Sequence, residues 1–146
     1  MIDKDWKFTY TQGVYIGAAI ELFLITNDQI YLDDAVQTAN LVVNNGYFAP
    51  EGILRSEGGG DGGLFKGILV RYLTYMIQHA DLPSDRKSTY REFLETNAKD
   101  MYSHIRRPEM LIGPAWNAPA ESVIDASIQL SGLMLLESMA ALEATE

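Results

Sequence analysis

An all-α fold of stacked helical hairpins is predicted by three features of the 146-residue sequence. Stretches that are apolar on every helical face alternate with stretches apolar along one stripe, the pattern of inner and outer helices in two layers. Gly13-Val-Tyr-Ile-Gly17 realigns on Gly63-Leu-Phe-Lys-Gly67, fifty positions later, and each glycine pair opens an apolar helix. The repeating unit is therefore a helical hairpin. The β-branched residues fall mostly inside helical periodicity, so no run reads as a strand.

The elements follow in order. Between Gly13 and Ile25 the charged residue is Glu21, and Val14, Tyr15, Ala18, Ala19, Leu22 and Phe23 cover all faces, as in a buried helix. From Tyr31 to about Asn45, Leu32, Ala35, Val36, Ala39, Val42 and Val43 share one stripe opposite Asp33, Asp34, Gln37 and Asn40, which predicts a half-exposed outer helix. The run from Leu64 to about Ala80 carries Lys66 and Arg71 as its basic residues and reads as buried. Those two are expected to snorkel to a helix end or to pair with Glu21 or Glu57. Ser84 is a plausible N-cap for a second outer helix, with Tyr90, Phe93, Leu94, Met101 and Ile105 at three- and four-residue steps. A loop containing Pro108, Gly113, Pro114 and Pro119 leads to a last inner helix, expected from about Glu121 to Ala144. The order is inner, outer, inner, outer, inner, which suits either an open α-solenoid or a closed (α/α) toroid.

The composition, 47% hydrophobic and 21% charged, is that of a soluble globular protein, and residues 1–146 are expected to form a single domain with one core. Eleven basic and 20 acidic residues give a net charge of −9, which repels phosphate backbones and anionic membrane surfaces. No nucleic-acid or membrane partner is expected. The absence of cysteine excludes disulfides, thiolate nucleophiles and cysteine-ligated metals. No apolar run follows a basic patch at the start, and no stretch reaches the ~18 residues of a membrane span. As given, the chain is expected in the cytoplasm, or outside the cell if an upstream signal belongs to the full-length protein.

In a toroid the loops entering the inner helices converge at one end of the axis, and chemistry is expected there. These loops are rich in glycine, aromatic and amide residues: Trp6 to Gly13, Ser56 to Gly63, and Gly113-Pro-Ala-Trp116-Asn117. Rings that stack on sugar faces and amides that orient hydroxyls suit a saccharide. The candidate contacts are Tyr10, Thr11, Gln12, Asp61, Gly62 and Trp116. The glycine run is not a P-loop, because Lys66 is followed by Gly67, and Asp61 lacks the alternating ligands of a calcium loop. It reads either as a flexible turn that places Asp61 near a helix's positive end or as a loop that a ligand approaches closely. Trp6 and Trp116 either cap the core or stack a ligand. The adjacent Asp33-Asp34 pair is expected in the first turn of an outer helix, where the dipole favours acids. His79 and His104 lack metal-ligand spacing, and no metal or cofactor is expected.

Thr9-Tyr-Thr-Gln-Gly13-Val-Tyr-Ile-Gly17, Tyr31-Leu-Asp-Asp-Ala35 and Gly59-Gly-Asp-Gly-Gly-Leu-Phe-Lys-Gly67-Ile-Leu-Val-Arg71-Tyr, in this order, resemble glycoside hydrolase family 76, the endo-α-1,6-mannanases. The similarity covers nearly the whole chain, and the stretch around Gly-Asp-Gly-Gly-Leu-Phe-Lys-Gly is its specific part. The resemblance implies an (α/α)6 barrel and retaining cleavage of α-1,6-mannan by two carboxylates. It implies a catalytic adjacent Asp-Asp pair in an Asp-Asp-x-x-Trp-Trp-like context, which this sequence does not contain. Asp33-Asp34 falls instead in the family's Tyr-Leu-x-x-Ala segment. The chain thus resembles the C-terminal half of such an enzyme, with its catalytic residues unassigned and about half of the toroid present.

Three readings are open at this stage. The chain is part of a mannanase-type glycoside hydrolase and inactive alone; or a non-catalytic carbohydrate-binding module that holds an α-mannan-like saccharide; or a helical-repeat scaffold that binds a protein. The inner helices, apolar on nearly all sides, also require a cover. A homo-oligomer or association with the missing N-terminal half is expected, with Leu22, Ile25, Leu69, Leu73 and Leu135 at the interface or in the shared core.

Overall fold

The computed structural model describes residues 6–144. It contains helices α1 (Thr9–Thr26), α2 (Gln29–Asn44), α3 (Phe65–His79), α4 (Ser84–Ser103) and α5 (Ala126–Glu143), with 3-10 turns at Pro50–Gly52 and Gly60–Leu64. Among the described residues there is no strand, only an isolated bridge between Arg106 and Leu111. Helix α1 packs on α3 and α3 on α5, forming an inner arc. Helix α2 backs α1, and α4 lies behind α3 and α5. The inner, outer, inner, outer, inner order is the one the periodicity predicts, and three inner helices make about half of an (α/α)6 toroid.

Helix ends follow from local chemistry. Asn27 stops α1 in the left-handed region at φ 56°, where its N–H reaches the Phe23 carbonyl at 2.7 Å. Asp28 then opens α2, its side chain accepting from the Ile30 N–H at 3.1 Å. Because α2 starts at Gln29, Asp33 and Asp34 stand in its second turn rather than in the first turn expected. Ser84 does not cap α4 but is its first residue, since Pro83, with its fixed φ, takes the capping position. Helix α5 begins at Ala126, five residues later than expected. Asp125 precedes it, yet its carboxylate accepts from the Gly60 N–H at 2.7 Å instead of capping α5.

The glycine repeat sets how closely the inner helices approach. A Cβ at Gly13 would lie 2.6 Å from the Leu69 Cα, and one at Gly67 would lie 2.9 Å from the Ser131 Cα. Hence α1 lies on α3 at Gly13 and α3 on α5 at Gly67, while Gly63, the counterpart of Gly13 in the repeat, closes on the Ile128 nitrogen, where a Cβ would stand at 3.0 Å. The core on either side holds Ile16, Ile20, Leu69, Leu73, Met76 and Leu135. In the outer layer, fully buried Asn97 accepts from the Leu54 N–H at 2.8 Å and donates to the Gly52 carbonyl at 3.0 Å, fastening the 45–59 connection to α4.

The inner helices are not buried on every face. Leu69, Leu73 and Leu135 lie in the chain's own core, whereas Leu22 and Ile25 on α1 and Leu130 and Leu133 on α5 are exposed. The reason is geometric. An arc of three inner helices has a concave face and two free flanks, and among the described residues nothing covers them. The concave face forms a groove of about 890 Å³ between α1, α3 and α5. No helix among the described residues is long and apolar enough to cross a membrane.

Candidate functional site

Because α1, α3 and α5 run in the same direction, the segments that enter them meet at one end of the arc. At the head of α1, Tyr10 packs on Phe65, the first residue of α3, with ring centroids 4.4 Å apart, and Phe8 lies against the same ring at 5.3 Å. Thr11 turns its hydroxyl to the Phe8 carbonyl at 2.7 Å, and the Gln12 amide donates to the Thr11 hydroxyl at 3.2 Å. Trp6 is 71% exposed beside Phe8.

Glu57 joins this edge to the glycine loop. Its carboxylate, with a side chain 2% exposed, accepts from the Thr9 N–H at 3.0 Å and from the Thr9 hydroxyl, and it pairs with Arg55 at 3.6 Å. Phe8, at the N-cap of α1, supplies no side-chain acceptor, so Glu57 satisfies a helix-start donor from 48 residues away. Arg55 in turn donates to the Lys7 carbonyl at 2.9 Å and lies 4.0 Å over the Tyr47 ring. Gly62 closes against the Glu57 carbonyl, where a Cβ would stand at 2.1 Å. Asp61 is exposed in the turn Gly60–Leu64. A second carboxylate repeats the tie on the next loop, since Asp125, ahead of α5, holds the Gly60 N–H. Each loop thus contributes a carboxylate to the entry segment of the preceding inner helix.

Lys66 is 3% exposed. Its amine neither snorkels nor makes an ion pair within bonding distance; it donates to the Pro114 carbonyl at 2.6 Å and lies 4.1 Å over the Trp116 ring. Burial pulls its pKa down to about 7, against the opposing charge of Glu57. Trp116 is 1% exposed, so its ring supports the 113–117 loop from beneath rather than facing solvent. Arg71, also set aside as a snorkelling residue, is exposed on α3.

The structure sets Tyr10 against Phe65 at the head of α3, next to the turn that holds Asp61 and Gly62, with Trp116 buried under the third loop. Thr11 turns back on the Phe8 carbonyl, and Gln12 borders a separate groove towards α2, with Tyr15, Gln37, Asn40 and Asn44. Glu57, Asp125 and Phe65 belong to the same place and were not among the sequence candidates. A carboxylate used as a long-range helix cap leaves no local spacing by which to find it. Asp33 and Asp34 lie elsewhere, on outer helix α2, where Asp34 accepts from the Tyr15 hydroxyl at 3.3 Å and its charge raises the Tyr15 pKa. Among the described residues no three His, Asp or Glu side chains converge as a metal site would require.

Comparison with known proteins places the chain in a family. The chain superposes on the GH76A α-1,6-mannanase of Salegentibacter sp. HEL1_6 with a TM-score of 0.94 and 46% identity, covering 97% of this chain and 42% of that one. An inactive variant of that enzyme, with two consecutive aspartates changed to alanine, in complex with α-1,6-mannotetrose, gives the same TM-score, identity and coverage. The Lin0763 protein of Listeria innocua matches at a TM-score of 0.88 and 39% identity, covering 100% of this chain and 40% of that one. No curated protein matches the sequence. The chain spans about 42% of the length of the first of these structures. The model of glycosyl hydrolase family 76 matches residues 3–146, and this chain, all-helical and mannanase-like over nearly its whole length, belongs to that family.

Proposed function

We propose that residues 1–146 act as one partial (α/α)6 domain of a glycoside hydrolase that cleaves α-1,6-mannan, supplying part of its saccharide-binding rim and not its catalytic carboxylate pair. The observation that carries this is the meeting of the three inner-helix entry loops at one end, in a chain 46% identical to an α-1,6-mannanase. The rim is suited to a polyhydroxylated ligand. Thr11 and Gln12 offer a hydroxyl and an amide, Tyr10 an aromatic edge braced by Phe65, and Asp61 an exposed carboxylate able to accept from two sugar hydroxyls. Trp116 contributes by holding the third loop in place.

A retaining glycosidase needs a nucleophile and an acid/base about 5 Å apart across the scissile bond. Two of the rim carboxylates are otherwise engaged, Glu57 by Thr9 and Arg55 and Asp125 by the Gly60 N–H. Titration of the isotopically labelled chain with α-1,6-mannotetraose is expected to shift the amide resonances of residues 10–12 and 60–63 and to leave those of Asp33 and Asp34 unmoved. Shifts confined to α2, or none at all, would reject the rim assignment; none at all would favour the protein-binding scaffold.

We also propose that the concave face and flanks are covered by the remaining hairpins of a complete toroid. Exposed Val14 on α1 and Leu130 and Leu133 on α5 line the concave groove together, and Leu22 and Ile25 lie exposed farther along α1. A second copy related by a two-fold axis is the substitute available to the chain alone. Light scattering at micromolar concentration is therefore expected to report a dimer or larger species. A monomer of 16.3 kDa that binds no hydrophobic dye would show that these faces need no cover.

A further inference from the structure

The first hairpin carries a groove of its own, between the start of α1 and the end of α2. It measures about 840 Å³, within the roughly 300–1,000 Å³ of small-molecule sites, and its lining includes Gln12, Tyr15, Gln37, Asn40, Asn44 and Asn45. It shares no residue with the concave groove, and neither Leu22 nor Ile25 lines it, so the hairpins proposed to cover those faces need not close it. Its lining differs from an ordinary solvated helix face. From Ala35 to Pro50 the sequence holds no charged residue, whereas α4, the other outer helix, is laced with the ion pairs Arg91–Glu95 and Lys99–Glu95.

Contacts within the protein fix which end of each carboxamide is left over. Gln12 and Asn44 donate from their amino groups to the Thr11 hydroxyl at 3.2 Å and the Asn40 backbone carbonyl at 3.0 Å, which leaves their side-chain carbonyl oxygens as acceptors. Asn40 and Asn45 do the reverse. Their side-chain carbonyl oxygens accept from the Tyr90 hydroxyl and the Tyr47 N–H, both at 2.8 Å, which leaves their amino groups as donors. Exposed Gln37 meets no hydrogen-bond partner among the described residues and keeps both ends. A sugar hydroxyl donates and accepts at once, so a polyol needs this mixture, and here it is oriented before any ligand arrives. Tyr15, 51% exposed with its hydroxyl tied to Asp34 at 3.3 Å, adds a ring face on which a pyranose can lie.

We propose that this groove is a second saccharide-binding site, which takes a neutral oligosaccharide between α1 and α2, apart from the loops at the heads of α3 and α5. No charged side chain lines the groove, so an anion finds no counter-charge there and a cation no carboxylate. An apolar ligand would strip water from the amides and leave them unpaired. Hydroxyl groups satisfy both kinds of amide end. Because Gln12 stands in the first turn of α1, a saccharide held here lies beside the head of that helix, where it retains a polymer without cutting it.

The choice of a mannan oligosaccharide as probe rests on the function proposed above, but the two claims are read at different residues, the groove at 37–46 and the glycine loop at 60–63. α-1,6-Mannotetraose titrated into the isotopically labelled chain is expected to shift the backbone amides of 37–46 together with the side-chain amino resonances of Asn40 and Asn45. In Gln37→Ala and in Tyr15→Ala, both at exposed positions, binding read at those resonances is expected to weaken about tenfold, while shifts at 60–63 keep their concentration dependence. Shifts confined to 60–63 would overturn the groove and leave the rim standing, and shifts confined to 37–46 would do the opposite. The proposal also fails if no resonance of 37–46 moves, or if the shifts there survive unchanged in both variants. It fails as well if those resonances move with protein concentration in the absence of saccharide, as a second copy seated in the groove would make them do.

Discussion

Gly13→Ala is expected to destabilise the fold by about 3 kcal/mol, the upper part of the range for overpacking a tight interior. The new methyl would stand 2.6 Å from the Leu69 Cα, 3.0 Å from the Leu69 nitrogen and 3.1 Å from the Ile68 carbonyl oxygen. All three are backbone atoms inside α3, so no side chain can rotate away. Helix α1 must move off α3, loosening the contacts that Ile16 and Ile20 make in the core. Alanine is the better helix former by roughly 1 kcal/mol, and that gain offsets only part of the loss. Gly46→Ala is the control, because nothing lies within 4 Å of a Cβ there. Urea denaturation of the two variants is expected to show a large fall in midpoint for Gly13→Ala and little change for Gly46→Ala. Equal midpoints would mean that α1 and α3 are not in backbone contact.

The glycine repeat marks the helical-hairpin unit in the sequence, whereas the close approach of α1 to α3 at Gly13 emerges only from the packing. The layer order was legible too. Asp33, Asp34, Gln37 and Asn40 cannot face a core, whereas nothing in Gly13–Ile25 except Glu21 objects to one. The same reasoning overstated burial. Hydropathy registers what a face can tolerate, and the exposed sides of Leu22 and Ile25 are apolar although no described part of the chain meets them. Local boundaries failed where a side chain had a distant partner. Asp125 would cap α5 in isolation, and it is the Gly60 N–H, 65 residues away, that claims it.

Tyr10, Thr11 and Gln12 are expected in a loop but stand in the first turn of α1, because the Glu57 carboxylate holds the Thr9 N–H and starts the helix there. Asp61 and Gly62 lie in the glycine turn, as expected. Glu57 and Lys66 carried no mark in the sequence. A lone acid in a loop and a lysine early in an apolar helix read as solvated charges, and only the packing of three loops reveals that one caps α1 and the other lies under Trp116. Trp116 stands out in its loop, but no spacing rule connects it to Lys66, whose amine lies 4.1 Å over its ring.

The second large effect expected is that this chain alone releases no sugar from α-1,6-mannan, an expectation drawn from where its carboxylates lie. In the Salegentibacter mannanase, changing two consecutive aspartates gives an inactive variant. The one adjacent carboxylate pair in this sequence, Asp33-Asp34, is on the outer helix α2 and engages Tyr15, away from the entry loops of the inner helices. Placing that pair at the rim would require α2 to exchange places with an inner helix, which the stripe of Leu32, Ala35, Ala39 and Val42 buried against the core forbids. The expectation is that this chain alone releases no reducing sugar above the blank from linear α-1,6-mannan. Sustained release that is abolished in the combined Asp33→Asn and Asp34→Asn variant would contradict it, because those residues would then be the catalytic pair and the chain a complete active site.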